Sequence, residues 1–428
     1  MSSSEQHQEL LRKYAEAIVR VGLNLRAGQR LIITNSASRG VPPAGRELVH
    51  EVSKAAYAAG ARYVDVIWGD EEMMRIRLQN APADSFDEYP KWHVNGILDM
   101  IKNGDALLSI YANNPGVYNG LDPERIGALQ QAHLQNYQEI GIQVSRNAIN
   151  WCVVASGAPA WARKIFPDLP EKEAEEKLWQ AIFETTRATQ PDPVAAWQEH
   201  IKNLRKRADY LQAKKYTGLH YRAESHGDKS QKTDFTLGLP HGHKWISAQS
   251  LAENGVVFTA NMPTEEVFTL PDRHRAEGTV AATFPLSHGG SLIEDFSVTF
   301  ENGRIVKVNA KKNEAILQKI VDTDEGSTRL GEVALVPASS PIARRGHLFY
   351  NTLFDENASC HIAIGRAYRF TLTGGEELTD EEFNAAGGNT SLNHVDFMIG
   401  SPQMDIDGIA EDGTREPVMR QGEWAFNL

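Results

Sequence analysis

Apolar and polar positions alternate at two different periods through the first half of the chain. "QELLRKYAEAIVRVGLN" sets Leu10, Leu11, Tyr14, Ile18 and Val21 at helical spacing. "RLIITNS" (30–36) is a short apolar run with the length of a buried strand, and "AGRELVHEVSKAAYAAG" returns to the helical period. Gly60 suits the stop of that helix before the next strand, "RYVDVIWG" (62–69). The alternation continues through a helix near "WHVNGILDMIKNG", a strand "DALLSIYA" (105–112), a helix near "PERIGALQQAHLQNYQE" and a strand "INWCVVAS" (149–156). Such a β-α-β-α order predicts a mostly parallel sheet flanked by helices.

Two further helices, 171–187 and 192–215, are separated by Pro191 and Pro193. From about residue 216 the texture changes to short strands and turns. "SVTFENGRIVKV" (297–308) places Asn-Gly between two alternating runs, the pattern of a tight hairpin. "DFTLGLP", "GVVFTANMP", "RLGEVALVP" and "CHIAIG" are β-like runs ended by Gly or Pro. The expected organisation is an α/β domain with a mostly parallel sheet over 1–213, then a β-rich α+β domain over 214–428 carrying the functional site.

Composition narrows the class without naming a function. At 428 residues and 41% hydrophobic, the chain can bury a large core. A net charge of −12 argues against a general binder of nucleic acid or anionic membrane. Two cysteines, Cys152 and Cys360, cannot form a disulfide framework, which fits a reducing compartment. The N-terminal "MSSSEQHQELLRKY" lacks an apolar signal core, and no run reaches membrane-spanning length, so the expected location is the cytoplasm.

The common catalytic motifs (G-x-G-x-x-G, Walker A, H-E-x-x-H and G-x-S-x-G) are missing. Instead, four apolar runs of the second half contain ionisable residues: Glu265 and Glu266 in "NMPTEEVFTLP", Glu332 in "RLGEVALVP", His361 in "CHIAIGRAY", and His394 with Asp396 in "SLNHVDFMIG". On a strand, residues two apart share a face, so His394 and Asp396 stand side by side. A hydrogen-bonded pair accounts for those two taken alone. All of these groups together ask for more, because buried unpaired charge costs several kcal/mol per ion. Glu266, Glu332 and Asp396, with two neutral imidazoles, match two divalent cations plus one hydroxide, and such ligands suit Zn²⁺, Mn²⁺ or Co²⁺. Cys360 adjoins His361, but strand neighbours face opposite sides and form no direct dyad. His241 and His243, beside a proline turn without a carboxylate, read as loop polarity or a substrate contact.

These same segments resemble a known family. "NMPTEEVFTLPD", "RLGEVALVP", "NTLFDENASCHIAIGRAY", "NHVDFMIG" and "MDIDGIAEDGTREPVMRQGEW" occur in the order seen in the M29 aminopeptidases, the thermophilic aminopeptidase T group. The resemblance implies a two-domain metallopeptidase, usually a homodimer, that removes N-terminal residues from peptides with a free N-terminus. It implies two divalent ions per chain (Zn, Co, Mn or Mg) on Glu266, Glu332, His361, His394 and Asp396, with Tyr368 catalytic. Glu266 rather than Glu265 is taken because the family's acid directly precedes Val-Phe. In this reading the ions lower the pKa of a water, and Tyr368 stabilises the developing oxyanion. Glu332 or Glu265 would shuttle a proton, and Asp355 and Glu356 would orient His361. A regular strand would put His361 and Tyr368 on opposite faces, so a bend or bulge is expected at Gly365. The alternatives are a non-haem Fe(II) ring-cleaving dioxygenase built on His361, His394 and Asp396, and a non-catalytic peptide-binding protein.

Overall fold

The predicted alternation of the first half folds into a parallel sheet. The computed structural model describes residues 3–35, 39–225, 232–288 and 291–428; Ser36, the last residue of the first expected strand, lies outside them. Strands run in the order Tyr63–Val66, Arg30–Thr34, Ala106–Tyr111, Trp151–Ala155 and Asn261–Met262, all parallel. Arg30–Thr34 and Ala106–Tyr111 are buried along nearly their whole length, as expected for strands covered on both faces.

The first helix, Ser3–Ala17, relaxes into a wider π-type turn over Ile18–Gly22. Arg46–Ala58, Lys91–Lys102, Pro123–Ser145, Glu171–Thr185 and Pro193–Lys214 are the other expected helices. Several helices were not foreseen, Glu71–Asn80, Pro159–Ile165, Glu314–Val321 and Asp380–Ala385 among them, and one short strand joins an unexpected sheet. Helix Glu71–Asn80 is started by Asp70, whose carboxylate accepts from the N–H groups of Glu72 and Met73. Asn261–Met262, read above as part of a β-like run in the second half, joins the parallel sheet beside Val153 and Val154. A two-residue strand is too short for periodicity to reveal its partner.

The chain forms two compact units. One is Met1–Ile201 with Gln249–Pro263; the other is Lys202–Ala248 with Thr264–Leu428. They part inside helix Pro193–Lys214, whereas the change in sequence texture comes where that helix ends.

The second unit contains a nine-stranded sheet whose pairs are antiparallel. Its longest hairpin joins Ser291–Glu301 to Arg304–Lys312 through Asn302 and Gly303, both at positive φ. That is the backbone which Asn-Gly favours. A separate four-stranded antiparallel sheet has the order Val267–Thr269, Leu330–Leu335, His361–Gly365, His394–Met398. Val333, Ile362 and Phe397 are cross-strand partners on one face of it. All three are fully buried, and the Phe397 ring packs 5.4 Å from Phe296 of the nine-stranded sheet. This apolar back anchors the smaller sheet and leaves its other face for chemistry.

Phe397→Ala should therefore lower the unfolding free energy by about 3–5 kcal/mol, while Phe397→Leu, which keeps more volume, costs clearly less. Urea unfolding of the two variants measures this; equal stability of Phe397→Ala and wild type would contradict the packing role.

Candidate metal centre

The front face of the four-stranded sheet collects the ionisable residues through its register. Glu332 is opposite Ala363, which is opposite Asp396, so two carboxylates flank one small side chain in a row. His361 lies opposite Ala334, and His394 opposite Gly365. Phe268 pairs with Ala334, so Glu266, two residues earlier, extends on the same face. Period-two alternation thus sends acids and imidazoles forward and Val333, Ile362 and Phe397 back.

His361 Nε2 lies 3.1 Å from Glu266 Oε2 and 3.5 Å from Glu332 Oε1. His394 Nε2 lies 3.8 Å from Glu332 Oε2 and 3.5 Å from Asp396 Oδ1. Two triads of possible metal ligands result, Glu266–Glu332–His361 and Glu332–His394–Asp396, with Glu332 common to both. Glu266, Glu332 and His361 are buried, and His394 and Asp396 nearly so.

The outer nitrogens of both imidazoles are already committed. His361 Nδ1 meets the Ser359 carbonyl at 3.0 Å, and His394 Nδ1 meets the Arg366 carbonyl at 2.7 Å. A carbonyl only accepts, so each Nδ1 carries hydrogen and donates it. Each Nε2 then turns toward carboxylate oxygens and needs a cation, either its own proton or a metal. Asp396 Oδ1 is buried without a hydrogen-bond partner, which a plain His–Asp pair does not explain. The donor set fits a divalent ion.

The electrostatics give the same sign. Burial alone would lower His361, but Glu266 and Glu332 outweigh it and hold the imidazole well above its ordinary value. His394 behaves alike: burial opposes, Asp396 and Glu332 prevail, and its pKa rises to about 9. Burial pushes Glu332 up, with Asp396 and Glu266 adding to it against the two imidazoles. Asp396 ends below its usual range because His394 and His361 overcome the effect of burial. The cluster is starved of positive charge.

Two glycines shape the strands around it. Gly331 is the extra residue between the Leu330 and Glu332 pairings, and a Cβ there would sit 2.2 Å from the Arg366 carbonyl oxygen. That oxygen is the one holding His394. Gly365, at φ 105°, ends the His361–Gly365 strand, and a Cβ on it would meet the Asn393 carbonyl at 2.3 Å. The chain bends away there, which brings the Tyr368 ring within 5.0 Å of the His394 ring. Tyr368 also stacks on Phe370 at 5.3 Å. Burial, then the Glu332 and Asp396 carboxylates, raise its phenol, so the hydroxyl keeps its proton.

Other expectations resolve individually. Asp355 accepts from the backbone N–H groups of Phe349 and Asn351, organising that turn, while the Ser359 carbonyl orients His361. Glu356 does face the cluster: burial, Asp396 and Glu266 push its carboxyl well above the usual range. Glu265 is buried and interacts electrostatically with Arg207, and it belongs to neither triad. Cys360 points to the back, its thiol donating to the Val336 carbonyl at 3.3 Å, and burial raises it to about 11. His243 is buried, with Nδ1 donating to the Pro240 carbonyl at 2.9 Å. The sequence had no signal for the Ser359 and Arg366 carbonyls, since every residue has one.

Several known proteins are similar to this chain along nearly its whole length. The family model for thermophilic metalloproteases (M29) matches residues 7–424. Aminopeptidase AmpS of Bacillus subtilis is 46% identical over 97% of this chain and 98% of its own length. Aminopeptidase T of Thermus thermophilus is 44% identical over 97% and 98%. The solved structure of wild-type AmpT from Thermus thermophilus superposes with a TM-score of 0.89 at 43% identity, covering 97% of this chain and 99% of that one. A 2,5-dihydroxypyridine dioxygenase from Pseudomonas putida KT2440 is similar in fold alone, at a TM-score of 0.51 and 13% identity over 100% of this chain and 99% of that one. On the strength of a match along nearly its whole length, the chain belongs to the M29 family of thermophilic metalloproteases.

Proposed function

We propose that this protein is an aminopeptidase whose Glu266, Glu332, His361, His394 and Asp396 would hold two divalent ions. The observation that carries the reading is the sharing of Glu332 by two triads, its two oxygens turned to different imidazoles. A mononuclear iron site would need neither Glu266 nor Glu332. The relatives' names supply the reaction, removal of residues from the amino end of a peptide. The family resemblance further supports a homodimer. The two free, buried cysteines agree with a reducing cytoplasm, and among the described residues no helix is long and apolar enough to cross a membrane.

When bound, divalent ions supply Lewis acidity toward the scissile carbonyl and make water a nucleophile near neutral pH. The chain's own groups do the rest. Tyr368, kept protonated, donates its hydroxyl hydrogen to the carbonyl oxygen as negative charge develops there. A carboxyl at the cluster, Glu332 or Glu356, would take the proton from the water and return it to the leaving amine, and Glu356, outside both triads, could do so without giving up a ligand oxygen. Ser359 and Arg366 keep the imidazoles in one tautomer throughout. Zn, Co, Mn or Mg all suit this donor set of carboxylates and imidazoles.

Peptides with a free N-terminus should be shortened one residue at a time, and their N-acetylated forms should resist. Chelation should abolish turnover, and elemental analysis should return two divalent ions per chain. Equal cleavage of blocked and free peptides would overturn the aminopeptidase reading; a single iron with oxygen-dependent ring cleavage would replace it.

Tyr368→Phe removes one donor and little else. It should reduce kcat by about 10²–10³-fold with KM and metal content nearly unchanged. A fully metallated variant with normal kcat would take Tyr368 out of the mechanism.

Protons and metal compete for the same nitrogens. With His394 raised from 6.5 to about 9, its proton stabilises the metal-free fold fully below pH 6.5, and that contribution is lost as pH rises through 9. Metal must displace this proton, so affinity should climb between pH 6.5 and 9 and level off above. Titration against a chelator of known affinity across that range measures the slope; a flat profile would contradict it.

A further inference from the structure

The first unit contains polar groups that the metal centre does not use. In its sheet the chain passes from Arg30–Thr34 to Tyr63–Val66 on one side, then crosses to Ala106–Tyr111 on the other. The carboxyl ends of Arg30–Thr34 and Ala106–Tyr111 thus form a topological switch point, where open α/β sheets hold ligands. Just beyond these ends, Asn35 donates to the Asn113 side chain at 2.8 Å. Glu71 braces the same place, accepting from Asn113 Nδ2 and the Asn114 N–H, each at 3.1 Å.

Arg39 sits beside this pair of loops. Its guanidinium lies 4.3 Å above the Tyr89 ring, and its Nη2 is buried with no hydrogen-bond partner. No carboxylate pairs with it among the described residues. Tyr118 and Tyr137 are close enough to act on its charge, and the Tyr89 hydroxyl is fixed by His133 Nδ1 at 2.9 Å. Thr34, buried at the strand end, has the Tyr137 side chain within hydrogen-bonding reach, which places Tyr137 at the same switch point. Arg39 also hydrogen-bonds the Tyr89 side chain, but a buried guanidinium nitrogen without an acceptor is costly, and that edge of the fork matches a carboxylate oxygen.

We propose that this switch point binds a small organic carboxylate with a flat apolar body, gripped by the Arg39 guanidinium among Tyr89, Tyr118 and Tyr137. A single negative charge balances the Arg39 guanidinium, and Arg77, which donates to the Ser85 and Glu88 carbonyls and acts on the charge of Arg39, adds to the positive field. A phosphate fits less well: the segment entering helix Arg46–Ala58 contains Pro42 and Pro43, which lack the N–H donors of a phosphate cradle.

Calorimetry on the full chain with benzoate tests this, with benzamide and inorganic phosphate as comparators. Benzoate should bind saturably at one site per chain and far more tightly than benzamide. Arg39→Gln should weaken it by about 10–100-fold, and Arg39→Lys, which keeps the charge but loses the fork, by less. Unliganded Arg39→Gln should lose only the contact with Tyr89 and melt within a few degrees of wild type, because no carboxylate is left unpaired. Absence of benzoate binding would overturn the proposal, as would phosphate binding more tightly than benzoate. So would binding that survives Arg39→Gln and disappears on chelation, which belongs to the metal centre.

Discussion

Three carboxylates held against two imidazoles, on a face with little access to water, form a set that no rearrangement of its own protons satisfies well. Each imidazole has committed its outer hydrogen to a backbone carbonyl, so the inner nitrogens have only cations to accept. The rest of the second unit can be understood as support for that imbalance. Apolar residues on the back of the sheet fix its position, the register fixes which side chains share a level, and two glycines let the backbone come close enough. Replacing one ligand leaves the others facing uncompensated charge, so effects within this set are not additive.

Burial alone would have made both histidines poor bases. Their carboxylate neighbours reverse this and keep the nitrogens attractive to any cation. The same neighbours strengthen the hold of Tyr368 on its proton, so one group of negative charges prepares both the ligands and the hydrogen-bond donor. In the proposed mechanism, binding and catalysis draw on a common field.

Much of this was legible in the sequence where chemistry and periodicity coincide. His394 and Asp396 two apart, set among apolar residues, announced a polar face on a buried strand, and Asn302-Gly303 announced its hairpin. The choice of Glu266 over Glu265 came from family resemblance, because adjacent acids are equivalent until the register is known. Register between strands separated by tens of residues has no local signature. The roles of Ser359 and Arg366 were invisible because they act through carbonyl groups, and Asn261–Met262 was too short to declare its sheet. Asp355 looked like a partner for His361 and instead organises a turn, a distinction that needs the fold of the preceding loop.

Gly331 has a consequence for how relatives are compared. It carries no charge, binds nothing and sits beside a ligand, yet a methyl group there would press on the carbonyl oxygen that fixes His394. A descendant could keep all five proposed ligand letters and lose the orientation of one imidazole through an alanine at this place. Inheritance of the activity therefore depends on a residue that a check of the ligands alone would pass over.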